Sequence, residues 1–262
     1  MISNMHTHTC FCDGKDAPEE IVLAAINLGF DTIGFSGHSK LSDCNWCISD
    51  EEKYFDEIQR LKSEYAGKIN ILCGIEQDFY SDEPVFETDF RIGSVHFVNA
   101  GGKLCAVDES RKVTLGAINE AFGGDPLKFA ANYYESAAVC PKRTKADIIG
   151  HFDLLTKFEG IFDEEDKKYR SLCLESLEEA AKYGKPFEIN TGAIPRGYDK
   201  IYPSPFVLKR LKELGGSITI STDCHDKTKL DLGFADACSL AKSCGFDSYL
   251  CYIGGKPKAV PL

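Results

Sequence analysis

Short apolar runs alternate along the chain with segments in which apolar residues recur at helical spacing. Eight of these runs predict β-strands, at 2–8, 32–37, 69–76, 90–98, 147–152, 186–190, 217–222 and 248–253. Helical patterns begin at Pro18, after Ser49, at Glu164 and after Ser204, and a glycine follows three of them. This alternation predicts repeated strand–helix units and a parallel sheet.

The length of 262 residues suits an α/β fold of the TIM-like (β/α) barrel kind, built as a single domain over residues 1–262. Residues 101–143 interrupt the alternation, and we interpret them as a helical insertion after the fourth strand. An open, doubly wound sheet is the alternative that the pattern allows. Neither a glycine-rich dinucleotide fingerprint nor a GxxxxGK loop accompanies the strands, so the sequence predicts no nucleotide-binding loop.

The charge balance narrows the possible partners. The chain has 30 basic and 41 acidic residues and a formal net charge of −11. This balance disfavours a protein that follows a nucleic-acid backbone, but it permits a small phosphorylated substrate, which responds to the local field of its site. Because no long apolar run and no secretory leader are recognised, we expect a cytoplasmic enzyme without a membrane partner.

Twelve cysteines are scattered along the chain. Most of them lie in apolar stretches, where a reduced cysteine behaves as a small hydrophobic side chain, and we expect them to be reduced. Cys10 and Cys12 form a CxC motif, and Cys44 and Cys47 form a CxxC motif. A separate zinc site built from these two pairs is the less favoured interpretation, because the pairs lie far apart in the sequence.

Potential metal ligands stand at the carboxyl ends of several different predicted strands: His8, His38, Glu76, His96, His151 and Asp223. The catalytic residues of (β/α) barrels lie at this edge. Residues two apart on a strand point to the same side, so His6 can join His8 and His225 can join Asp223. Imidazole and carboxylate ligands together suit zinc, manganese or iron, and their number predicts two or three divalent ions bridged by Glu76.

Paired divalent ions are typical of enzymes that hydrolyse phosphate esters. Water on such an ion loses its proton near neutral pH, and ions about 3.5–4 Å apart stabilise the entering and leaving oxygens of a phosphoryl displacement. Arg196, beyond the sixth predicted strand, carries the planar fork that can clamp a phosphate group. We therefore predict attack of metal-bound hydroxide on phosphorus, with Glu76, Asp223, His225 and Arg196 as catalytic residues.

Taken in order, these motifs resemble the polymerase and histidinol phosphatase (PHP) superfamily. The residues that carry the resemblance are His6-Thr-His8, the isolated His38, His96 and His151, and Ser-Thr-Asp-Cys-His at 221–225. The segment Glu-Ile-Asn-Thr-Gly at 188–192, with Arg-Gly-Tyr at 196–198 and Tyr-Pro-Ser at 202–204, is similar to the histidinol-phosphatase branch. Each motif alone is weak, but the ordered set spans most of the chain and is specific.

The resemblance implies a distorted seven-stranded barrel with a trinuclear metal site. The implied ligands are His6, His8, Glu76 and Asp223 for one ion, Glu76, His96 and His151 for the second, and Asp13, His38 and His225 for the third. The implied reaction is hydrolysis of L-histidinol phosphate to L-histidinol and phosphate, in histidine biosynthesis. The chain departs from the family at Gly37, often acidic there, and at Cys224, usually alanine.

Other functions stay open from the sequence. The same metal core would serve a phosphatase for nucleotide or sugar phosphates, or a phosphodiesterase for oligonucleotides. A PHP domain without catalysis would serve as a scaffold, although this chain keeps every implied ligand. Asp43, Asp153 and Glu159 are candidate partners for the cationic groups of histidinol, with no preference among them.

Overall fold

The computed structural model of the protein describes residues 2–42 and 44–262. The strands are β1 (Ile2–Asn4), β2 (Phe30–Phe35), β3 (Asn70–Asp78), β4 (Phe90–Ser94), β5 (Phe97–Ala100), β6 (Lys103–Ala106), β7 (Ile148–Ile149), β8 (Phe187–Asn190), β9 (Ile218–Ser221), β10 (Ser248–Ile253) and β11 (Lys256–Pro261). The helices are α1 (Pro18–Asn27), α2 (Glu51–Glu64), α3 (Arg111–Phe122), α4 (Pro126–Thr144), α5 (Lys167–Ala181), α6 (Pro205–Glu213) and α7 (Phe234–Ser243).

Most of the strands form one parallel sheet. Its order is β1, β2, β3, β4, β7, β8, β9, β10, and each neighbouring pair in this run is parallel. Strand β11 adds an antiparallel edge to β10, while β5 and β6 form a separate antiparallel hairpin. Parallel neighbours require crossover connections, which helices supply in most of the intervals. The predicted parallel α/β sheet is confirmed.

The sheet curls until its first strand meets β9. Thr7, just beyond β1, forms a parallel bridge with Cys224, just beyond β9. The backbone N–H of His8 donates to the carbonyl of Cys224 at 2.8 Å, and the N–H of Cys224 donates to the carbonyl of His6 at 3.1 Å. The run from β1 to β9 therefore surrounds a common interior as a distorted barrel, although the ladder between its two ends is a single bridge.

Side chains fill the interior below the site. One buried cluster joins residues from different strands: Met5, Phe90, Ile92, Ile148 and Tyr252. The ring of Phe90 occupies space that two glycines leave open, because a Cβ on Gly74 would lie 2.3 Å from that ring and one on Gly34 would lie 2.8 Å away. This packing leaves the carboxyl ends of the strands as the place for a site.

Helix α2 shows how the sequence fixes a barrel helix. The side chain of Asp50 caps it by accepting from the N–H of Lys53 at 3.0 Å. Its inner face buries Tyr54, Ile58 and Leu61, and the hydroxyl of Tyr54 donates to the carbonyl of Gly74 at 3.0 Å. The helix thus holds β3, which carries Glu76, in place.

The structure differs from the predicted strands in several places: the runs 2–8 and 147–152 contain only the short strands β1 and β7, and β6 and β11 were not predicted. The predicted strand 90–98 divides into β4 and β5, with His96 between them. The cause is the carboxylate of Asp78, which accepts from the backbone N–H of His96 at 2.9 Å and takes the place of a ladder partner. Residues 101–143 contain the short strand β6, helix α3 and most of helix α4.

The expectation of reduced cysteines is wrong for Cys44 and Cys47, which form a disulfide. Their three-residue separation in a turn places the two Cα atoms 5.6 Å apart, inside the range that a disulfide bridges. These two residues therefore cannot act as thiolate ligands of a zinc site with Cys10 and Cys12. Across residues 2–42 and 44–262, no helix combines the length and apolar character needed to cross a bilayer.

Candidate metal centre

The predicted ligands converge at the carboxyl ends of the barrel strands. They come from loops or strand ends that are distant in sequence but adjacent in the sheet: His6, His8 and Asp13 after β1, His38 after β2, Glu76 in β3, His96 after β4, His151 after β7, and Asp223 and His225 after β9. Donor atoms of these residues form four overlapping groups whose members lie within 4.8 Å of one another. The structure therefore brings together all nine residues that the sequence singled out.

Glu76 lies at the middle of this cluster and is 1% exposed. Its Oε2 atom lies 2.9 Å from Nδ1 of His38 and 3.2 Å from Nε2 of His6. Its Oε1 atom lies 2.9 Å from Nε2 of His151 and 3.2 Å from Nε2 of His96. One carboxylate thus faces imidazoles on both of its oxygens, which is the arrangement required of a bridging ligand.

Two aspartates complete the cluster on its other side. Oδ1 of Asp223 lies 3.2 Å from Nε2 of His8 and 3.7 Å from Nε2 of His6. Oδ2 of Asp13 lies 3.2 Å from Nε2 of His225, and its Oδ1 lies 3.6 Å from Nδ1 of His8. Asp13, on a loop and one-third exposed, therefore faces the same histidines as the buried strand-end ligands.

The electrostatics of the cluster require positive charge. Burial alone would raise the pKa of Glu76, but the histidines that face it lower that pKa well below its ordinary value. Burial opposes charge on His6, yet Glu188 and Glu76 raise its pKa well above the ordinary value. His8 differs, because burial and neighbouring histidines lower its pKa to about 3, which keeps the imidazole neutral and able to ligate. Ionised carboxylates this deeply buried must be balanced by protonated histidines or by metal cations.

Several donor atoms of the cluster are buried without a hydrogen bond. Within the described residues, Nε2 of His6, Nε2 of His8 and Oε2 of Glu76 have no hydrogen-bond partner. Leaving three such atoms unsatisfied in one place costs free energy unless another ligand satisfies them. Imidazole nitrogens and a carboxylate oxygen turned toward one point are the donor set that divalent zinc, manganese or iron accepts. The residues present therefore fit a metal centre.

Two buried carboxylates orient the histidines from behind. Oε1 of Glu188 lies 2.7 Å from Nδ1 of His6, and its Oε2 accepts from the backbone N–H of His151 at 3.0 Å. Oδ2 of Asp78 lies 3.1 Å from Nδ1 of His96. A carboxylate on Nδ1 keeps the proton there and leaves Nε2 free to bind a metal. Neither role was predicted, although Glu188 is an acidic residue inside an apolar strand and so carried a signal in the sequence.

The backbone at Asp223 adopts an uncommon conformation, and this conformation directs the side chains of the turn. Asp223 has φ of 48°, in the left-handed region that residues other than glycine seldom adopt. Gly192 faces it so closely that a Cβ there would lie 2.7 Å from the Cβ and Oδ2 atoms of Asp223. The side chain of Cys224 points elsewhere, because its Sγ donates to the carbonyl of Asp226 at 3.0 Å. This turn thus presents Asp223 and His225 to the cluster while the thiol points away.

A cavity of about 500 Å³ opens onto the cluster and contains two cationic side chains. Arg196 donates from Nη1 to the carbonyl of Gly192 at 3.0 Å, and its Nη2 lies 3.1 Å from Nε2 of His225. Lys157, which the sequence patterns did not indicate, lines the same cavity and donates from Nζ to the carboxylate of Asp108 at 3.1 Å. Both can present positive charge to an anionic ligand beside the histidines.

Of the three residues predicted as partners for the cationic groups of a substrate, two lie away from the histidine cluster and one lies outside the described residues. Asp153 is fully buried and accepts from the backbone N–H of Ser204 at 2.8 Å. Glu159 lines a neighbouring cavity with Arg111 and Tyr198. Asp43 lies outside the described residues. None of the three is therefore placed at the histidine cluster.

Comparisons with known proteins agree with this geometry. A "Probable histidinol-phosphatase" of Schizosaccharomyces pombe is 29% identical, covering 96% of this chain and 89% of the relative. The histidinol-phosphatase of Bacillus subtilis is 26% identical, covering 88% and 95%. The fold is similar to the crystal structure of histidinol phosphate phosphatase from Lactococcus lactis in complex with zinc, L-histidinol and phosphate. That match has a TM-score of 0.73 and 22% identity over 98% of both chains.

The family assignment follows from a match to a family model that covers more than half of the chain. Residues 4–192 match the model of the PHP domain, and this span includes His6, His8, His38 and Glu76. Asp223 and His225 lie beyond the matched span, yet the barrel places them against the same cluster. The chain belongs to the PHP domain family.

Proposed function

We propose that this protein is a metal-dependent phosphomonoesterase that hydrolyses L-histidinol phosphate to L-histidinol and phosphate, in histidine biosynthesis. The observation that carries the proposal is the buried cluster around Glu76, with Arg196 beside it in one cavity. Relatives named histidinol-phosphatase match nearly the whole chain, and one solved structure of the fold holds zinc, L-histidinol and phosphate. These findings support the substrate as well as the reaction type.

The cluster would hold two or three divalent ions, with zinc, manganese and iron as the candidates. We assign His6, His8, Glu76 and Asp223 to one ion, Glu76, His96 and His151 to a second, and Asp13, His38 and His225 to a third. Bound ions of this kind supply positive charge to the phosphoryl group and lower the pKa of water. Glu76 is the shared ligand in this assignment, because its two oxygens face different histidines.

The protein prepares its ligands before any ion or substrate binds. Glu188 holds the proton of His6 on Nδ1, and Asp78 does the same for His96, so that each Nε2 faces Glu76. His8 is neutral because burial lowers its pKa to about 3. Ligand orientation is thus fixed by the fold, which reduces the reorganisation required on binding.

Arg196 and Lys157 would bind the phosphate. The guanidinium of Arg196 lies beside Asp223 and His225, with Nη1 3.6 Å from Oδ2 of Asp223. Two parallel N–H groups of a guanidinium match two phosphate oxygens, and the ammonium of Lys157 adds a point charge. Together they would hold the phosphoryl group against the cluster and balance charge that develops on its oxygens.

The ligand assignment is tested by Glu76→Ala. Loss of the bridging carboxylate should abolish phosphate release from L-histidinol phosphate and lower the bound metal content, while circular dichroism and thermal unfolding still report a folded barrel. A folded variant with near-normal phosphate release would contradict the multinuclear site. Activity confined to nucleotide, sugar or diester phosphates in the wild-type protein would keep the metal site and replace the substrate.

A further inference from the structure

Two aromatic rings line the cavity without belonging to a hydrophobic core. In the described part of the chain, the core clusters contain neither Trp46 nor Phe97. The two rings stack on each other with centroids 6.0 Å apart and form a wall between the cavity over the metal cluster and a neighbouring cavity. Large aromatic rings that do not stabilise a core, but line a cavity with polar groups, are typical of ligand-binding walls.

Trp46 and Arg196 contact different histidines of the cluster. The Trp46 ring meets His38 at a centroid distance of 4.6 Å in an edge-on arrangement. Arg196 lies 3.1 Å from His225, and the rings of His225 and His38 are 6.2 Å apart. Both side chains line the same cavity, so a phosphate ester whose phosphate contacts Arg196 and the cluster has room to extend its organic part toward Trp46.

The loop that carries Trp46 is braced. The Cys44–Cys47 disulfide closes a four-residue segment that contains Asn45 and Trp46. The next residue, Ile48, is buried, and its N–H donates to the carbonyl of His38 at 3.0 Å. A ring held in this way loses little conformational freedom when a ligand contacts it.

We infer that Trp46 is a specificity-determining residue whose indole receives the imidazole ring of the substrate. This inference rests on the proposed function and adds to it the residue that selects the organic part. Tryptophan attracts flat and cationic rings more strongly than other side chains do. The carboxylate of Asp108 is paired with Lys157, and that of Glu109, which lines the same cavity, adds negative charge suited to a cationic substrate.

The test compares two substrates and two substitutions. Metal-loaded wild type, Trp46→Phe and Trp46→Ala are assayed with L-histidinol phosphate and with glycerol 1-phosphate, which has neither ring nor cation. Trp46→Ala should raise KM for L-histidinol phosphate about tenfold, roughly 1.4 kcal/mol, and should reduce kcat/KM for glycerol 1-phosphate much less than kcat/KM for L-histidinol phosphate. Trp46→Phe should fall between wild type and Trp46→Ala. Tyr183→Ala, an exposed aromatic residue on the outer surface, is the matched control and should change neither substrate.

A second readout does not depend on turnover. Trp46 is the single tryptophan of the chain, so its fluorescence reports this site alone. L-Histidinol should change the emission of the metal-loaded wild type in a saturable way, at the concentrations at which it inhibits phosphate release. Inhibition by L-histidinol without an emission change would overturn the inference.

The outcomes separate this inference from the proposed function. Wild type without a preference for L-histidinol phosphate would contradict the proposed substrate, and the L-histidinol titration would still decide whether Trp46 contacts the imidazole ring. A clear preference in wild type, with equal losses on both substrates in Trp46→Ala, would overturn the role of Trp46 alone. A preference that Trp46→Ala retains in full would overturn it as well.

Discussion

The carboxylate of Glu188 gives the sharpest prediction about how the fold supports the metal cluster. Glu188 accepts on both oxygens: Nδ1 of His6 lies 2.7 Å from Oε1, while the N–H of His151 and Nδ2 of Asn190 donate to Oε2 at 3.0 and 2.9 Å. In Glu188→Gln one of these oxygens becomes an NH₂ group. That group must then face either Nδ1 of His6 or two other donors.

Either orientation harms the site. An NH₂ group facing His6 favours the tautomer with its proton on Nε2, which removes the lone pair that a metal needs. An NH₂ group facing His151 and Asn190 leaves buried donors without acceptors. A hydrogen bond to a charged group contributes about 1.5–3 kcal/mol, and loss of such outer partners typically reduces metal affinity by about 10- to 100-fold. We expect a loss in that range.

Zinc affinity of the folded protein, measured by competition with a chelating dye, is the assay. Glu51→Gln is the matched control, because Glu51 is also buried and accepts a backbone N–H, from Val85, but lies away from the cluster. Burial raises the pKa of Glu51, so neutralising it should cost little. Circular dichroism must show both variants folded. A Glu188→Gln protein whose zinc affinity stays within about twofold of wild type would refute the reasoning.

Three further predictions follow from the cavity, the cluster and the disulfide. Arg196→Ala should lower kcat/KM for phosphate esters by about 10- to 100-fold in a phosphate-release assay. Arg196→Lys should recover only part of this loss, because an ammonium lacks the bidentate fork of a guanidinium. Equal activity of wild type and both variants would contradict phosphate binding by Arg196. Removal of metal by a chelator should lower Tm in calorimetry, because the ions bind only the folded cluster; an unchanged Tm would count against it. A thiol reagent should detect ten thiols in the unfolded, unreduced protein and twelve after reduction. Twelve thiols before reduction would exclude the disulfide.

Much of the fold was predictable because the strands are buried on both sides. The run 69–76 is mostly apolar and ends at Glu76, whereas 217–222 alternates isoleucine with the small residues serine and threonine, and β3 and β9 lie where these runs predict. The convergence of the candidate ligands was predictable for the same reason, since a histidine or carboxylate that ends a buried strand points to the edge where barrel sites form. The apolar pattern of the strands and the positions of Glu76 and Asp223 at strand ends were enough to place both residues in one candidate site.

The parts that were missed depend on tertiary contacts. Strand β11 pairs with β10 only because the chain turns back at Gly254 and Gly255, and its own residues are mostly exposed and carry weak apolar periodicity. The break at His96 depends on Asp78, which is distant from it in the sequence. Lys157 lies in a short turn after His151, and nothing in its sequence neighbourhood shows that the turn faces the cavity. Such contacts become visible only when the strands are placed side by side.

The measurement that tests the central claim most directly is phosphate release from L-histidinol phosphate by the zinc- or manganese-loaded protein, beside p-nitrophenyl phosphate under the same conditions. We predict a kcat/KM for L-histidinol phosphate at least about 100-fold higher, which corresponds to about 2.7 kcal/mol of discrimination in the transition state. Comparable slow rates on both esters would contradict the proposed substrate, and absence of release from either would contradict the phosphatase itself.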